Sequence, residues 1–172
     1  MNDESSFGPL YRRGGCAMTK KRLDSLIDVA IEREEEALTF YRELMGKVAD
    51  KGVKDTLEFL AAEEKKHKEF LENYKKGAFG AEGLSMTSAV DYKIAEHLEK
   101  PDPAHMKEDK DAYLIAANRE LQSYNFYTAL ANIHPDGAAK EMLLKMANQE
   151  MKHKEKVEYL YTNAAFPQTA GG

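Results

Sequence analysis

Apolar residues recur along most of this chain at steps of three and four, the pattern of helices that each bury one face. From about Lys20 to Ala49 the stripe runs through Leu23, Ile27, Ala30, Leu38, Tyr41, Met45 and Val48. The Asp50-Lys51-Gly52 segment breaks it, and a second amphipathic stretch, about Val53 to Lys76, runs up to Gly77. So short a connection makes these two helices antiparallel neighbours. Residues 77–108 differ: Gly77, Gly80 and Gly83 open the stretch, Pro101 and Pro103 close it, and a short amphipathic segment lies near Ser88–Leu98. A third helix is predicted from about Asp109 to Ile133. His134-Pro135-Asp136-Gly137 is a turn signal, and a fourth helix follows from about Ala138 to Thr162.

The pattern therefore predicts an all-α chain: two antiparallel helix hairpins joined by a long crossover, the connectivity of ferritin-like four-helix bundles. Residues 1–19 are polar and aperiodic and read as a flexible N-terminal arm; residues 20–163 form the bundle, and 164–172 a C-terminal tail.

The second hairpin repeats the first. Val53, Leu57, Leu60, Glu64, His67, Leu71 and Tyr74 step through the second helix, and adding 86 to each number gives Ala139, Leu143, Met146, Glu150, His153, Val157 and Leu160. The same offset carries Glu34 to Glu120, Phe40 to Phe126 and Tyr41 to Tyr127. Two amphipathic helices can share a core pattern by chance; sharing its polar interruptions is harder to dismiss.

Those interruptions are the candidate chemistry. Glu64, His67, Glu150 and His153 occupy inward seam positions, and Glu34 and Glu120 lie within the stripes of the first and third helices. Burying an unpaired carboxylate costs several kcal/mol, and four together repel one another. No Lys or Arg repeats on these seams, whereas two divalent cations would balance the charge and take the imidazoles as neutral donors. Glu34 and Glu64 stand about equally far from the first turn, within roughly 5 Å at 1.5 Å rise per residue, and Glu120 and Glu150 are similarly placed about the second. The pattern thus predicts one layer of metal ligands: Glu34, Glu64, His67, Glu120, Glu150 and His153. Tyr41 and Tyr127, each seven residues after a seam glutamate, are candidates for hydroxyls that orient a ligating carboxylate.

Composition narrows the setting. The 172 residues carry a formal charge of -5 with both signs interleaved, so there is no basic footprint for nucleic acid. No apolar run approaches the ~20 residues of a membrane span, and no signal-peptide core precedes the bundle, so the expectation is a cytoplasmic protein. Cys16 alone excludes an intrachain disulfide or a rubredoxin-type site in these residues.

At AIEREEEALTFY and EEKKH in the first half, and AANRELQSYNFY and NQEMKH in the second, the sequence resembles the rubrerythrin-related, ferritin-like di-iron carboxylate family, over about Lys20–Thr162. The resemblance implies two iron ions, with Zn or Mn as other occupants. Glu34 and Glu120 would be terminal ligands, Glu64 and Glu150 bridges, and His67 and His153 would cap one ion each. It implies an oxidoreductase that reduces peroxide or dioxygen in oxidative stress, fed by a separate electron donor such as a rubredoxin. Iron storage and a redox-silent zinc-bound structural bundle are the alternatives. Family members usually carry a rubredoxin domain, and an extra carboxylate three residues before the third-helix glutamate, where this chain has Ala117.

His97, His105 and His134 fall in the crossover and turn and read as surface histidines. Met142, Met146 and Met151 read as packing residues, and Lys65-Lys66 and Lys75-Lys76 as solvated faces. Tyr159, Tyr161 and Phe166 are candidates for a homodimer contact.

Overall fold

A computed structural model describes residues 20–77, 89–134 and 136–166. The predicted arm and most of the predicted tail lie outside the described residues. Five helices are described: α1 (Lys20–Met45), α2 (Lys51–Lys75), α3 (Ile94–His97), α4 (Asp111–Ile133) and α5 (Ala138–Ala165). The long helices α1 and α2 pack as one pair and α4 and α5 as the other, with α1 also against α4 and α2 against α5. This is the all-α ferritin-like bundle that the hydrophobic pattern predicts. Among the described residues no helix is long and apolar enough to cross a membrane.

Local chemistry moves several helix ends from their predicted places. The first helix stops at Met45, short of Ala49, because Gly46 turns the chain and donates back to the carbonyls of Arg42 and Glu43. The second begins at Lys51, two residues early, because the Asp50 side chain accepts from Val53 N at 2.9 Å and caps it. Gly52 permits that cap, since a Cβ there would lie 3.2 Å from Asp50 Oδ1. Gly77, at φ +81°, ends α2 in the left-handed region, which a side chain would resist. The fourth long helix runs past Thr162 to Ala165 and stops just ahead of Pro167, whose ring disfavours a helical residue before it.

The crossover differs most from its prediction. Among its described residues only Ile94–His97 is helical, because Lys93 takes a left-handed φ of 56° and its N–H donates to Asp91 Oδ1 at 3.0 Å. A buried lysine then fastens the segment to α5. Lys154, with no exposed surface, places Nζ 2.5 Å from Asp91, 3.1 Å from Glu96 and 3.0 Å from Glu158. Glu158 also accepts from Ala95 N at 2.8 Å. At the same end of the bundle Asp109 Oδ2 accepts from Ala49 N at 2.7 Å and Asp50 N at 2.5 Å, tying the first turn to the start of α4.

The core falls into two apolar clusters. One gathers Leu38, Tyr41, Leu44, Leu57, Leu60, Ile115 and Val157; the other gathers Ile27, Leu71, Tyr127, Leu130, Leu143 and Met146. Each fully buried Leu or Ile contributes roughly 1.5–3 kcal/mol through removal from water. Between the clusters lies a polar layer.

A buried carboxylate–histidine centre

That layer holds the six seam residues. Glu34, Glu64, His67, Glu120, Glu150 and His153 are each buried. Ligand atoms of Glu34, Glu64, His67 and Glu150 lie within 4.8 Å of one another, and so do those of Glu64, Glu120, Glu150 and His153. The two sets share Glu64 and Glu150. One carboxylate comes from each long helix, and the histidines follow Glu64 and Glu150 by three residues, which keeps each on its glutamate's face.

His67 Nδ1 stands 3.0 Å from Glu150, and 3.6 Å from both Glu34 and Glu64. His153 Nδ1 stands 3.4 Å from Glu120. The two imidazoles stack with centroids 5.5 Å apart and planes 19° from parallel. Although close, these atoms are poorly aligned for hydrogen bonding. Glu64 Oε2, His67 Nδ1, Glu120 Oε2, both Glu150 carboxylate oxygens and His153 Nδ1 are buried without a hydrogen-bond partner. Six orphaned polar atoms in one layer are a large cost to stability if nothing binds them. Carboxylate oxygen and imidazole nitrogen are the donors that divalent iron, manganese and zinc accept, so the residues present fit a metal centre.

The tyrosines complete the layer, crosswise. Tyr41 of α1 donates its phenol proton to Glu120 of α4, and Tyr127 of α4 donates to Glu34 of α1. Each phenol lies on the face of the glutamate in its own helix and bonds the glutamate of the other hairpin. A second crosswise pair flanks the first: the Arg33 guanidinium lies 4.5 Å from the Phe126 ring centroid, and that of Arg119 4.8 Å from Phe40. Arg33 and Arg119 are also related by the 86-residue offset. The sequence repeat is thus a near two-fold relation between the hairpins in space.

Charge is unevenly shared. Burial pushes the Glu34 and Glu120 carboxyls up, but His67 and His153 respectively, with the tyrosine hydroxyls, outweigh it and hold both below the ordinary carboxylate value. Glu64 is pushed well up by burial and by repulsion from the other three carboxylates. Glu150 is pushed well up by burial, against the pull of His67. Burial would lower His67, yet the surrounding carboxylates, Glu150 foremost, raise it well above the usual histidine range. Both phenols are raised well above theirs by burial and the nearby carboxylates. The two glutamates shared by both ligand sets are thus the two most opposed to carrying charge without a cation.

Other expectations fare differently. His97 and His105 are exposed, as read, but His134 is buried at 6% exposure, because it caps the end of α4. Met142 and Met146 are core residues, and Met151 is half-buried. Tyr159 and Phe166 are exposed, whereas Tyr161 packs against the core. Ala117 is fully buried and brings no carboxylate. Sequence reasoning missed the Lys154 clamp. Its acidic ligand set of Asp91, Glu96 and Glu158 encloses an ammonium group. The signal was present in the i, i+4 pair Lys154 and Glu158, but nothing in the sequence marks that pair as covered by the crossover.

The fold and this layer define a ferritin-like helical bundle with a di-iron-type carboxylate–histidine metal-binding centre. The family model described as Rubrerythrin matches residues 2–75, which include all of α1 and α2, and this match is consistent with the rubrerythrin-related resemblance in the motifs. No curated protein and no solved structure matches the chain. Beyond residue 75 the internal repeat relates the second hairpin to the matched first one.

Proposed function

We propose that this protein is a two-iron oxidoreductase that reduces peroxide or dioxygen with electrons from a separate donor protein. The observation that carries this reading is the pair of four-residue ligand sets sharing Glu64 and Glu150. Glu34 and His67 would hold one ion, Glu120 and His153 the other, and the shared carboxylates both. Two ferrous ions in that place would supply the two electrons that cleavage of an O–O bond requires.

The chain's own residues set the conditions for that chemistry. Two apolar clusters close the layer from both ends and keep bulk water from it. Tyr41 and Tyr127 fix the terminal carboxylates, and because their phenols resist ionisation, each keeps a proton on its oxygen beside the site. Electrons come from a donor outside residues 1–172, such as a rubredoxin. The exposed side chains of Tyr159 and Phe166 support a homodimer, which sedimentation would test, and we place the protein in the cytoplasm.

Anaerobic stopped-flow mixing of the ferrous protein with peroxide tests the proposal. Iron oxidation much faster than that of free ferrous ion is expected; oxidation no faster removes the enzymatic claim. A second reading, redox-silent zinc, is favoured by one observation: each ligand set offers four residues, zinc's preferred number. Elemental analysis of the protein as isolated separates the two. Iron storage would instead require uptake far beyond two ions per chain, within a large shell visible by gel filtration.

A further inference from the structure

We infer that Glu63 makes the two ends of the metal centre unequal, so that a cation is held more tightly at the His153–Glu120 end than at the His67–Glu34 end. This rests on the reading of the layer as a two-metal site, and it concerns a residue outside the six ligands.

The near two-fold relation preserves six pairs in and around the layer: Arg33 and Arg119, Glu34 and Glu120, Phe40 and Phe126, Tyr41 and Tyr127, Glu64 and Glu150, His67 and His153. It fails behind the histidines. Glu63 Oε2 lies 3.9 Å from His153 Nε2, and the Phe59 ring meets the same imidazole edge-on at 5.9 Å. Adding 86 to those two numbers gives Gln149 and Lys145. One hairpin thus places a carboxylate behind the other's histidine, and the corresponding position in the second hairpin carries a neutral amide.

Both histidines turn Nδ1 toward the carboxylates of the layer, so Nδ1 is the ligating atom and Nε2 carries the hydrogen. An anion beside that N–H makes the imidazole a stronger donor, and loss of such a partner weakens metal binding by about 10–100-fold. A carboxamide carries no net charge to do the same. At 3.9 Å Glu63 Oε2 acts on that N–H through its charge and not through a hydrogen bond, so the effect falls at the lower end of that range here. The Glu63 side chain is 20% exposed, and its other oxygen pairs with Lys66 Nζ at 2.5 Å, which offsets part of the charge.

The test titrates the metal-free full chain with Co(II), following visible absorption and heat. Two resolved steps are expected, with constants about tenfold or more apart. Glu63→Gln should weaken the tighter step about tenfold and leave the other in place, bringing the two together. Gln149→Glu should tighten the weaker step, a gain that loss of packing cannot produce. Lys66→Ala, which removes the ion pair and keeps the carboxylate, should retain the tight step. Two ions bound with constants that Glu63→Gln leaves unchanged would overturn this inference alone. So would an equal loss at both steps, because it would mark Glu63 as structural. No cobalt binding at all would overturn the metal-centre reading with it.

Discussion

Tyr41 of α1 hydrogen-bonds Glu120 of α4, 79 residues away, and not Glu34 on its own helix face. The relation is returned by Tyr127 and Glu34. Each hairpin therefore supplies a terminal carboxylate and the phenol that holds the other hairpin's carboxylate, so neither half of the layer is complete alone. Tyr41→Phe and Tyr127→Phe should each lower stability by about 1.5–3 kcal/mol, the usual worth of a hydrogen bond to a charged group. In urea denaturation, a cycle pairing Tyr41→Phe with Glu120→Gln should show stronger coupling than one pairing it with Glu34→Gln. Equal coupling would contradict the crosswise arrangement.

The shared glutamates should separate stability from binding. Glu64 and Glu150 are fully surrounded and opposed to carrying charge. Replacing both with leucine, the residue their seam positions otherwise favour, should stabilise the metal-free protein by about 1–4 kcal/mol. The same change should abolish binding of both cations, whereas Glu34→Ala should leave one per chain. Thermal melts in chelator and elemental analysis after metal loading provide the readouts. A double-leucine variant that still bound two ions would remove both residues from the ligand set.

Stability of the metal-free protein should fall as pH rises above about 4.5, and more steeply above about 6.5. His67, Glu64 and Glu150 all have folded values raised above their ordinary 6.5, 4.5 and 4.5. The stability each contributes is full below its unfolded value and is lost as pH climbs through the folded one. Glu34 and Glu120, lowered from 4.5, work the other way, and their contribution is lost as pH falls below that value. The optimum of the metal-free protein should therefore be mildly acidic. Bound metal should reverse the trend at neutral pH, because ligands must be deprotonated to bind it. Melting temperatures from pH 5 to 8, with and without Co(II), would show the curves diverging; parallel curves would contradict this.

Lys154→Met should cost about 3–5 kcal/mol, since it leaves Glu158 buried and its charge uncompensated. It should also free the crossover from α5, because Asp91 and Glu96 lose the same partner. Limited proteolysis should then cut within residues 89–98 well before the helices unfold. Resistance equal to the parent's would mean the crossover is held by other contacts.

Helix periodicity and the 86-residue repeat were enough to place four long helices, pair them into hairpins and pick out six inward polar residues, because a face that meets a core must repeat at helical spacing. Spacing along one helix also put Tyr41 near Glu34's face. It could not say which glutamate the phenol would reach, since a hydroxyl at the end of a long side chain crosses to whichever helix packs opposite. The buried run Ala112–Ala117 is likewise unreadable from periodicity: α4 is covered on several sides at once, so its apolar stripe widens to a full turn. Lys154 looks in sequence like its half-buried repeat counterpart Lys68, and it is fully buried only because the crossover brings Asp91 and Glu96 over it. The sequence determined which residues face inward, a property of single helices. Which of them meet, and at what distance, depended on contacts between helices remote along the chain, and only the packed tertiary structure decided it.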